Sequence, residues 1–377
     1  MFKKIIIGFF FFTTTIVGYS QAVIEVKNLT GINRKDEVIT IPWKDILASY
    51  PSVDTANFKA IDAISKEELT YQLEYKGTSQ PQNLLVQITV PANGKKQVQL
   101  IKGKHKIFIA KTFCRFVPER KDDFAWENDK IAFRMYGKAL EKTPNEMAYG
   151  RDVWVKRTDR LILNERYKRN EYHIDHGDGM DYYHVGLTLG AGDIAPYVND
   201  SIWFPGNYSG WKILDNGPLR STFQLMYDEW MVASEKVSVT KTISIDAGSQ
   251  LNKIVANFLF KGNNSLPVVT GIIKRKKPGA ELFDEVNGIM GYWEPTDSTN
   301  GTTGVACISG APVQRMMMNE IHLLSLMNAE PNKPMVYYSG AAWDRAGVIT
   351  SADKWFEYLK DFRQKLKFSL EITVNKK

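Results

Sequence analysis

The chain has 377 residues, with 49 Lys and Arg against 42 Asp and Glu, which gives a formal net charge of +7. This basic excess is mild and forms no aromatic-basic module, so it argues against nucleic acid as a partner. The length allows a large buried core, either as two domains or as one large β unit. Only two cysteines are present, Cys114 and Cys307, and nothing in their spacing requires a bond.

The first 20 residues have the pattern of a secretory signal peptide. Lys3 and Lys4 precede an apolar run at residues 5–12, and Gly18 and Ser20 are small residues at the −3 and −1 positions of a cut before Gln21. No later run reaches about 18 apolar residues, so no membrane span is expected. The pattern predicts a periplasmic or secreted protein. The basic excess of the chain suits an anionic sugar as the ligand of such a protein.

Short runs of β-branched and aromatic residues, separated by turn residues, predict an almost entirely β chain. Residues 21–102 form an N-terminal β-sandwich portion, separate or part of one unit with the main β domain of residues 103–377. Within it, residues 91–94 (PANG) predict a hairpin connection. The strands predicted there and further on lie at residues 23–26, 38–41, 69–75, 84–90, 98–101, 219–227, 236–245, 251–260, 268–273, 288–293, 305–308, 321–326 and 335–340.

Two further strands, predicted at residues 131–136 and 152–156, alternate between an apolar face and a face with charged and aromatic side chains. The second face carries Arg134, Tyr136, Asp152, Trp154 and Lys156. Such a face is either the floor of a concave binding sheet or a solvent-facing outer surface, and the pattern alone favours neither.

A helix is predicted at residues 351–365. Ser351 can cap its first turn, Asp353 lies within that turn, and Trp355 and Leu359 belong to an apolar stripe of helical spacing. The alternating residues 367–374 predict a closing strand.

Residues 171–197 form a glycine-rich segment with three of the five histidines of the chain. Titratable and aromatic groups in such a loop predict a functional site, and a solvated turn is the alternative. A Zn²⁺ or Ca²⁺ site stays open on ligand type, with His173, Asp175, His176, Asp178 and Asp181 as the donors. Their order matches neither the EF-hand loop nor the HExxH helix, and we expect neither metal nor cofactor. The aromatic side chains of this segment include Tyr182 and Tyr183, and for His184, at a strand start, we expect a structural role.

Residues 126–137, 152–157 and 173–192 together resemble an uncharacterised-domain family of exported Bacteroidetes proteins that occur in polysaccharide-degrading systems. Residues 217–220 and 241–250 are similar to the super-sandwich of aldose epimerases and several polysaccharide lyases. The resemblance implies a mainly β fold, a large antiparallel super-sandwich of the galactose mutarotase type with few helices.

The sequence as a whole also resembles the oligosaccharide dehydratases known in that family from ulvan breakdown. The resemblance implies an enzyme that removes water from a terminal uronic acid and leaves a 4,5-unsaturated sugar. This chemistry needs a cation at the carboxylate, for which Arg134 is our first choice, and a base, for which His173 and His176 are candidates. Tyr183 is a candidate acid. The candidate substrate-binding residues are Trp126, Asn128, Tyr136, Trp154, Lys156, Arg157 and Asp181.

Two other classes of function stay open on the residues alone. One is a chain-cleaving polysaccharide lyase or glycoside hydrolase, although no acidic pair stands out. The other is a non-catalytic sugar-binding protein. In each case the expected partner is an anionic oligosaccharide, rather than nucleic acid or a membrane.

Overall fold

The computed structural model describes residues 22–261 and 265–376, which are dominated by antiparallel β-strands. The mainly β fold class predicted from the sequence is confirmed. The predicted signal peptide, residues 1–20, lies outside the described residues. None of the helices within the described ranges has the length and apolar character needed to cross a membrane.

The N-terminal part of the fold is built from two small sheets that share one core. Apolar side chains alternate along these strands, so Ile24, Phe58 and Leu84 point between the sheets. The elements are β1 (Ala22–Lys27), β2 (Arg34–Pro42), α1 (Trp43–Ser49), β3 (Phe58–Asp62), β4 (Tyr71–Glu74), β5 (Asn83–Val90) and β6 (Lys95–Lys102). Sheet I contains β1, β6 and β3, and sheet II has the order β2-β5-β4.

The turn at residues 91–94 is tight, but it is not a hairpin. Gly94 donates its N–H to the Pro91 carbonyl at 3.1 Å, and Asn93 has a φ of 53°. The strands on either side, β5 and β6, pair in different sheets. The prediction of a hairpin was therefore wrong, because the turn carries the chain across the sandwich instead of back along the same sheet.

The rest of the chain forms three larger sheets, and the strands predicted there are all present with small shifts of their ends. The elements are β7 (Thr112–Val117), β8 (Asp123–Asn128), β9 (Ile131–Met135), β10 (Asp152–Lys156), α2 (Leu163–Arg169), β11 (Gly179–Asp181), β12 (Ala191–Val198), β13 (Ser201–Ile202), β14 (Gly210–Asn216), β15 (Arg220–Val232), β16 (Glu235–Asp246), β17 (Leu251–Phe260), β18 (Leu266–Ile273), β19 (Ala280–Asp284), β20 (Ile289–Trp293), β21 (Thr303–Ser309), β22 (Arg315–Met318), β23 (His322–Ala329), β24 (Met335–Trp343), α3 (Ala352–Lys367) and β25 (Glu371–Lys376).

These strands make a two-layer sandwich. Sheet III (β11-β10-β9-β8-β7) and sheet IV (β13-β12-β18-β23-β22) pack against the eight-stranded sheet V (β14-β15-β16-β17-β24-β21-β20-β19). A parallel bridge between Arg151 and Gly190 joins sheets III and IV. The shared core contains Phe133, Val153 and Val155, the apolar face predicted from the alternation of β9 and β10.

The C-terminal helix confirms its prediction in detail. Ser351 caps α3 by accepting the N–H of Lys354, and Trp355 and Leu359 are buried against the outer face of sheet V. The following strand begins at Glu371, later than the predicted residue 367, because the helix continues to Lys367. Strand β25 then pairs with β1 and completes sheet I, in the order β25-β1-β6-β3.

Both cysteines are free and buried in the shared core. Burial raises the pKa of Cys114 to about 12, so this thiol stays protonated and behaves as a small apolar side chain.

Candidate functional site

The candidate site is built on the outer face of sheet III, the face turned away from the shared core. Register places Asp152 of β10 beside Arg134 of β9, and Trp154 beside Asp181 of β11. Asp123 of β8 lies on the same face, two residues before Ala125, which pairs with Arg134. The period of two along a strand therefore gathers one cation and three carboxyl groups on one surface.

These groups form a compact charged cluster around Arg134. The guanidinium Nη2 lies 2.6 Å from Asp152 Oδ2 and 3.0 Å from Asp181 Oδ2, and Nη1 lies 3.6 Å from Asp123 Oδ2. The Arg134 side chain is only 5% exposed. The guanidinium is therefore already engaged by protein carboxyl groups.

Aromatic rings surround the same guanidinium. Its central carbon lies 5.0 Å from the ring centre of Tyr136, 5.1 Å from that of Trp154 and 5.8 Å from that of Tyr172. Cation–π contacts of this kind stabilise a partly desolvated arginine. The cluster is thus an aromatic box that holds one arginine and three carboxyl groups.

The carboxyl groups of the cluster titrate far from their ordinary range. Burial raises the pKa of Asp123 to about 6. Burial, and then the charge of Asp152, raise the pKa of Asp181 well above its usual range. Arg120 adds a second guanidinium 3.9 Å from Asp123, so three carboxyl groups face two cations. We infer that Asp181 keeps its proton at neutral pH, which balances the charges of the cluster.

The outer face of sheet III is covered by the chain itself. Leu163 and Tyr167 of α2 pack on Trp154. The start of α2 is held by Glu127, whose Oε1 accepts the N–H groups of Ile162 and Leu163 at 2.7 and 2.8 Å. The short helix α2 closes most of that surface, so this face is neither an open concave floor nor a solvent-facing outer surface, the two alternatives that the pattern had left open.

His173 lies at the edge of this cover and connects the cluster to solvent. Its Nδ1 is 2.8 Å from the main-chain oxygen of Asp181 and 3.7 Å from Asp181 Oδ2, and its side chain is 69% exposed. A carbonyl oxygen only accepts, so Nδ1 carries the proton in the neutral ring. The other nitrogen, Nε2, is then the basic one, and His173 presents a proton acceptor at the rim of the buried acids.

Two further polar residues of the loop, His176 and Asp175, contact polar side chains near the surface. His176 Nε2 lies 3.3 Å from Glu171, and Arg157 Nη2 lies 2.7 Å from Asp175. Arg157 is 39% exposed, and its guanidinium carbon lies 6.0 Å from the Trp343 ring centre. This rim therefore offers a histidine and an accessible arginine, with Asp175 two residues along the chain from His173.

Several predicted substrate-binding residues are buried and lack an open face. Trp126 is fully buried and donates Nε1–H to Asn252 at 2.8 Å, and Trp154 lies under α2. Lys156 is fully buried, and its ammonium lies 2.6 Å from Glu127 Oε2. Asn128 fixes the turn at residues 128–131 and the 246–249 turn. Their burial corrects the expectation that these four side chains contact a sugar.

Tyr183 and Arg134 also occupy positions that differ from the roles expected of them. Tyr183 is buried under the Arg275 guanidinium, whose carbon lies 4.4 Å from its ring centre, and burial raises its pKa well above its usual range. Tyr136 is buried beside Arg134, and Asp181 lies within the cluster. The structure thus brings Arg134, Tyr136, Asp181 and His173 together and leaves Tyr183 in a separate polar cluster.

Sequence reasoning missed Asp123, Asp152 and Tyr172 as members of the site. The alternation of β10 had already placed Asp152 on the same face as Trp154, so a signal for this residue was present. Asp123 and Tyr172 are brought in by strand pairing and by the cover, which no local pattern reveals. Within residues 22–261 and 265–376, no group of three or more His, Cys, Asp or Glu side chains is arranged to hold a metal ion.

A second polar cluster lies at the end of β20. Arg275 Nε is 2.5 Å from Glu294 Oε1, and Arg275 Nη1 donates to the His184 carbonyl at 2.7 Å. Burial raises the pKa of Glu294 to about 7, against an ordinary value of 4.5. The arginine therefore ties the 184 loop to β20 through a carboxyl group that titrates near neutral pH.

We expect Glu294→Gln to gain stability relative to the wild type as the pH rises. Because the pKa of Glu294 is raised in the folded state, its contribution to the free energy of unfolding is complete below pH 4.5. That contribution is lost as the pH rises through about 7. Glutamine cannot ionise, so the difference in unfolding free energy should shift by about 3 kcal/mol in favour of the variant across that window. Urea unfolding over this pH range measures it, with Glu281→Gln on β19 as the surface-charge control. A difference independent of pH would contradict the assignment.

The fold and the site define a large antiparallel β super-sandwich with a buried acid–arginine cluster beneath an exposed histidine. The chain belongs to the protein family described as a domain of unknown function, DUF4861, which matches residues 26–372. It is 31% identical over 374 residues to "Uncharacterized protein P7" from Formosa agariphila, covering 93% of each chain. The prediction of an uncharacterised-domain family is confirmed, and the link to ulvan stays a prediction.

Two solved structures share the fold. A protein of glycosyl hydrolase family 38 from Enterococcus faecalis has a TM-score of 0.53 at 9% identity, covering 96% of this chain and 48% of that one. An alpha-mannosidase from Enterococcus faecalis V583 has a TM-score of 0.51 at 10% identity, covering 95% and 46%. The chain spans about half the length of these two structures, and at such identity the likeness establishes the fold alone.

Proposed function

We propose that this protein is an exported carbohydrate-active hydro-lyase that removes water from the terminal uronic acid of oligosaccharides such as ulvan oligomers. The observation that carries the proposal is His173, an exposed base whose tautomer is fixed by the Asp181 carbonyl. The family resemblance supports the reaction. The names of the two structures that share the fold, a glycosyl hydrolase family member and an alpha-mannosidase, support a carbohydrate as the substrate.

His173 can serve both proton transfers of the elimination. Its Nε2 takes the proton from C5 of the uronic acid, and the C5–H electron pair forms the C4–C5 double bond as the C4–O bond breaks. The imidazolium then gives the same proton to the departing C4 oxygen, which leaves as water. A histidine suits both steps because its unperturbed pKa lies near neutral pH.

The carboxylate of the uronic acid needs a cation that lowers the cost of charge developing at C5. Arg134 is engaged by Asp123, Asp152 and Asp181, so we do not assign this role to it. Arg157 is more exposed and is paired with one carboxylate at the rim, Asp175. A substrate carboxylate can replace Asp175 on the planar guanidinium, and we assign carboxylate neutralisation to Arg157.

The test is mass spectrometry of uronate-containing oligosaccharides after incubation with the chain lacking residues 1–20. We expect an intact oligomer lighter by one water, with the near-ultraviolet absorbance of a 4,5-unsaturated uronate. Shorter fragments would replace the proposal with a chain-cleaving lyase or hydrolase. Unchanged masses across a broad uronate panel, with binding retained, would replace it with a sugar-binding protein.

A further inference from the structure

An aromatic pair lies on the outer face of sheet IV, beside the site. The rings of Tyr149 and Phe204 stack with their centres 5.1 Å apart and their planes at 25°. Both side chains are partly exposed. Phe204 packs at the edge of an apolar cluster formed by Leu189, Ala195, Val269 and Leu324. The pair therefore presents a supported aromatic surface to solvent.

The backbone under Tyr149 is held in close contact with the neighbouring segment. The Tyr149 N–H donates to the Gly186 carbonyl at 3.1 Å, and the Ala191 N–H donates to the Arg151 carbonyl at 2.8 Å. A Cβ at Gly150 would lie 2.2 Å from the carbonyl carbon of Leu189, so this approach requires glycine. Tyr149 is consequently fixed in place by its main chain.

The Tyr149 hydroxyl has no hydrogen-bond partner among residues 22–261 and 265–376. A partly exposed ring combined with a free hydroxyl is amphipathic, as the surface of a sugar is. The C–H face of a pyranose ring can stack on the aromatic face, and a sugar hydroxyl can bond to the phenol. These two features together favour a saccharide as the ligand of this surface.

The pair also lies on the same layer of the fold as the candidate site. Tyr149 precedes Asp152 by three residues, and Asp152 binds Arg134. The bridge between Arg151 and Gly190 joins the two sheets at this point, next to Tyr149. The aromatic pair therefore lies at the junction of the two sheets, on the layer that also carries the acid–arginine cluster.

We propose that Tyr149 and Phe204 form a platform for the sugar residues that follow the terminal uronic acid. This inference rests on the proposed function, and it makes the preferred substrate an oligosaccharide of several residues. Binding should strengthen with chain length, because the added residues contact the platform and leave the terminal subsite unchanged.

The test is isothermal titration calorimetry of uronate disaccharides and hexasaccharides, performed in a His173→Gln background to prevent turnover. Tyr149→Ala and Phe204→Ala should each lower the ratio of hexasaccharide to disaccharide affinity, by up to about tenfold. Tyr149→Phe should lower it less than Tyr149→Ala does, by about threefold, through loss of one hydrogen bond. Phe283→Ala removes a phenylalanine that is 38% exposed on the edge strand β19, and it should keep the ratio.

An affinity that does not grow with chain length would overturn the platform. So would an unchanged ratio of hexasaccharide to disaccharide affinity in Tyr149→Ala and Phe204→Ala, provided that circular dichroism shows both variants folded. The proposed function fails separately. If the wild type releases no water but the two variants lose the length-dependent affinity, the platform stands as a binding surface and the dehydratase does not.

Discussion

Replacing His173 with glutamine is expected to slow water loss by a factor of about 10²–10⁴, the contribution usual for a positioned acid–base group. Glutamine keeps a hydrogen bond to the Asp181 carbonyl through its amide but offers no basic nitrogen. Because His173 is exposed and makes few contacts, its loss should leave the stability of the fold unchanged. The effect should therefore fall on the chemical step.

The measurement is the rate of formation of the unsaturated product under saturating oligosaccharide, with His105→Gln as the matched control. His105 is a partly exposed histidine in the N-terminal part of the fold, stacked on Phe108 at 5.3 Å. The control should retain the wild-type rate. A His173 variant with near wild-type turnover would remove the base from the mechanism and leave the proton transfers without an assigned group.

The strands were predictable because a two-residue period marks them directly. The faces of β9 and β10 were assigned correctly from the alternation of Phe133 with Arg134 and of Val153 with Trp154. Which strands pair with one another was harder to predict from the sequence. Residues 91–94 form the predicted tight turn, but turn chemistry does not specify whether the next strand pairs with the previous one or enters the opposite sheet.

The cover of the site was not predictable for a related reason. Helix α2, Leu163–Arg169, is seven residues long, and its apolar residues do not recur at the spacing from which a helix is predicted. Isolated helices of this length are unstable in water, so its stability comes from tertiary contacts. Glu127 supplies them by accepting two N–H groups at its start, while Lys156 neutralises the buried carboxylate.

The candidate site was predicted in its residue types and only partly in its assembly. His173, Asp181 and Arg134 were identified from a titratable loop and an unusual strand face, and the structure brings them together. The role of Arg134 as a free cation could not be checked from sequence. Three carboxyl groups converge on it from β8, β10 and β11, and that convergence depends on the register in which four consecutive strands pair.

The same convergence makes Arg134 a large contributor to stability. We expect Arg134→Met to lower the unfolding free energy by about 3–5 kcal/mol, the usual cost of removing one partner from a buried ion cluster. Methionine fills much of the volume and cannot neutralise Asp123 or Asp152. The surface variant Arg160→Met, which removes an arginine 64% exposed beside Glu165, is the matched control and should change stability by less than about 0.5 kcal/mol.

The loss caused by Arg134→Met should depend on pH in a defined direction. Arg134 lowers the pKa of Asp123 and Asp181 against the opposing effect of burial, so its removal raises both values further. Arg134→Met should therefore lose the most unfolding free energy relative to the wild type at alkaline pH, where the wild-type carboxyl groups are charged. As the pH falls toward about 6, the carboxyl groups of the variant take up protons first, so the difference from the wild type shrinks, and for Asp123 it levels off below about 6. Urea unfolding of both proteins across this range measures the effect, and a penalty that grew on acidification would show that the cluster is not held by charge.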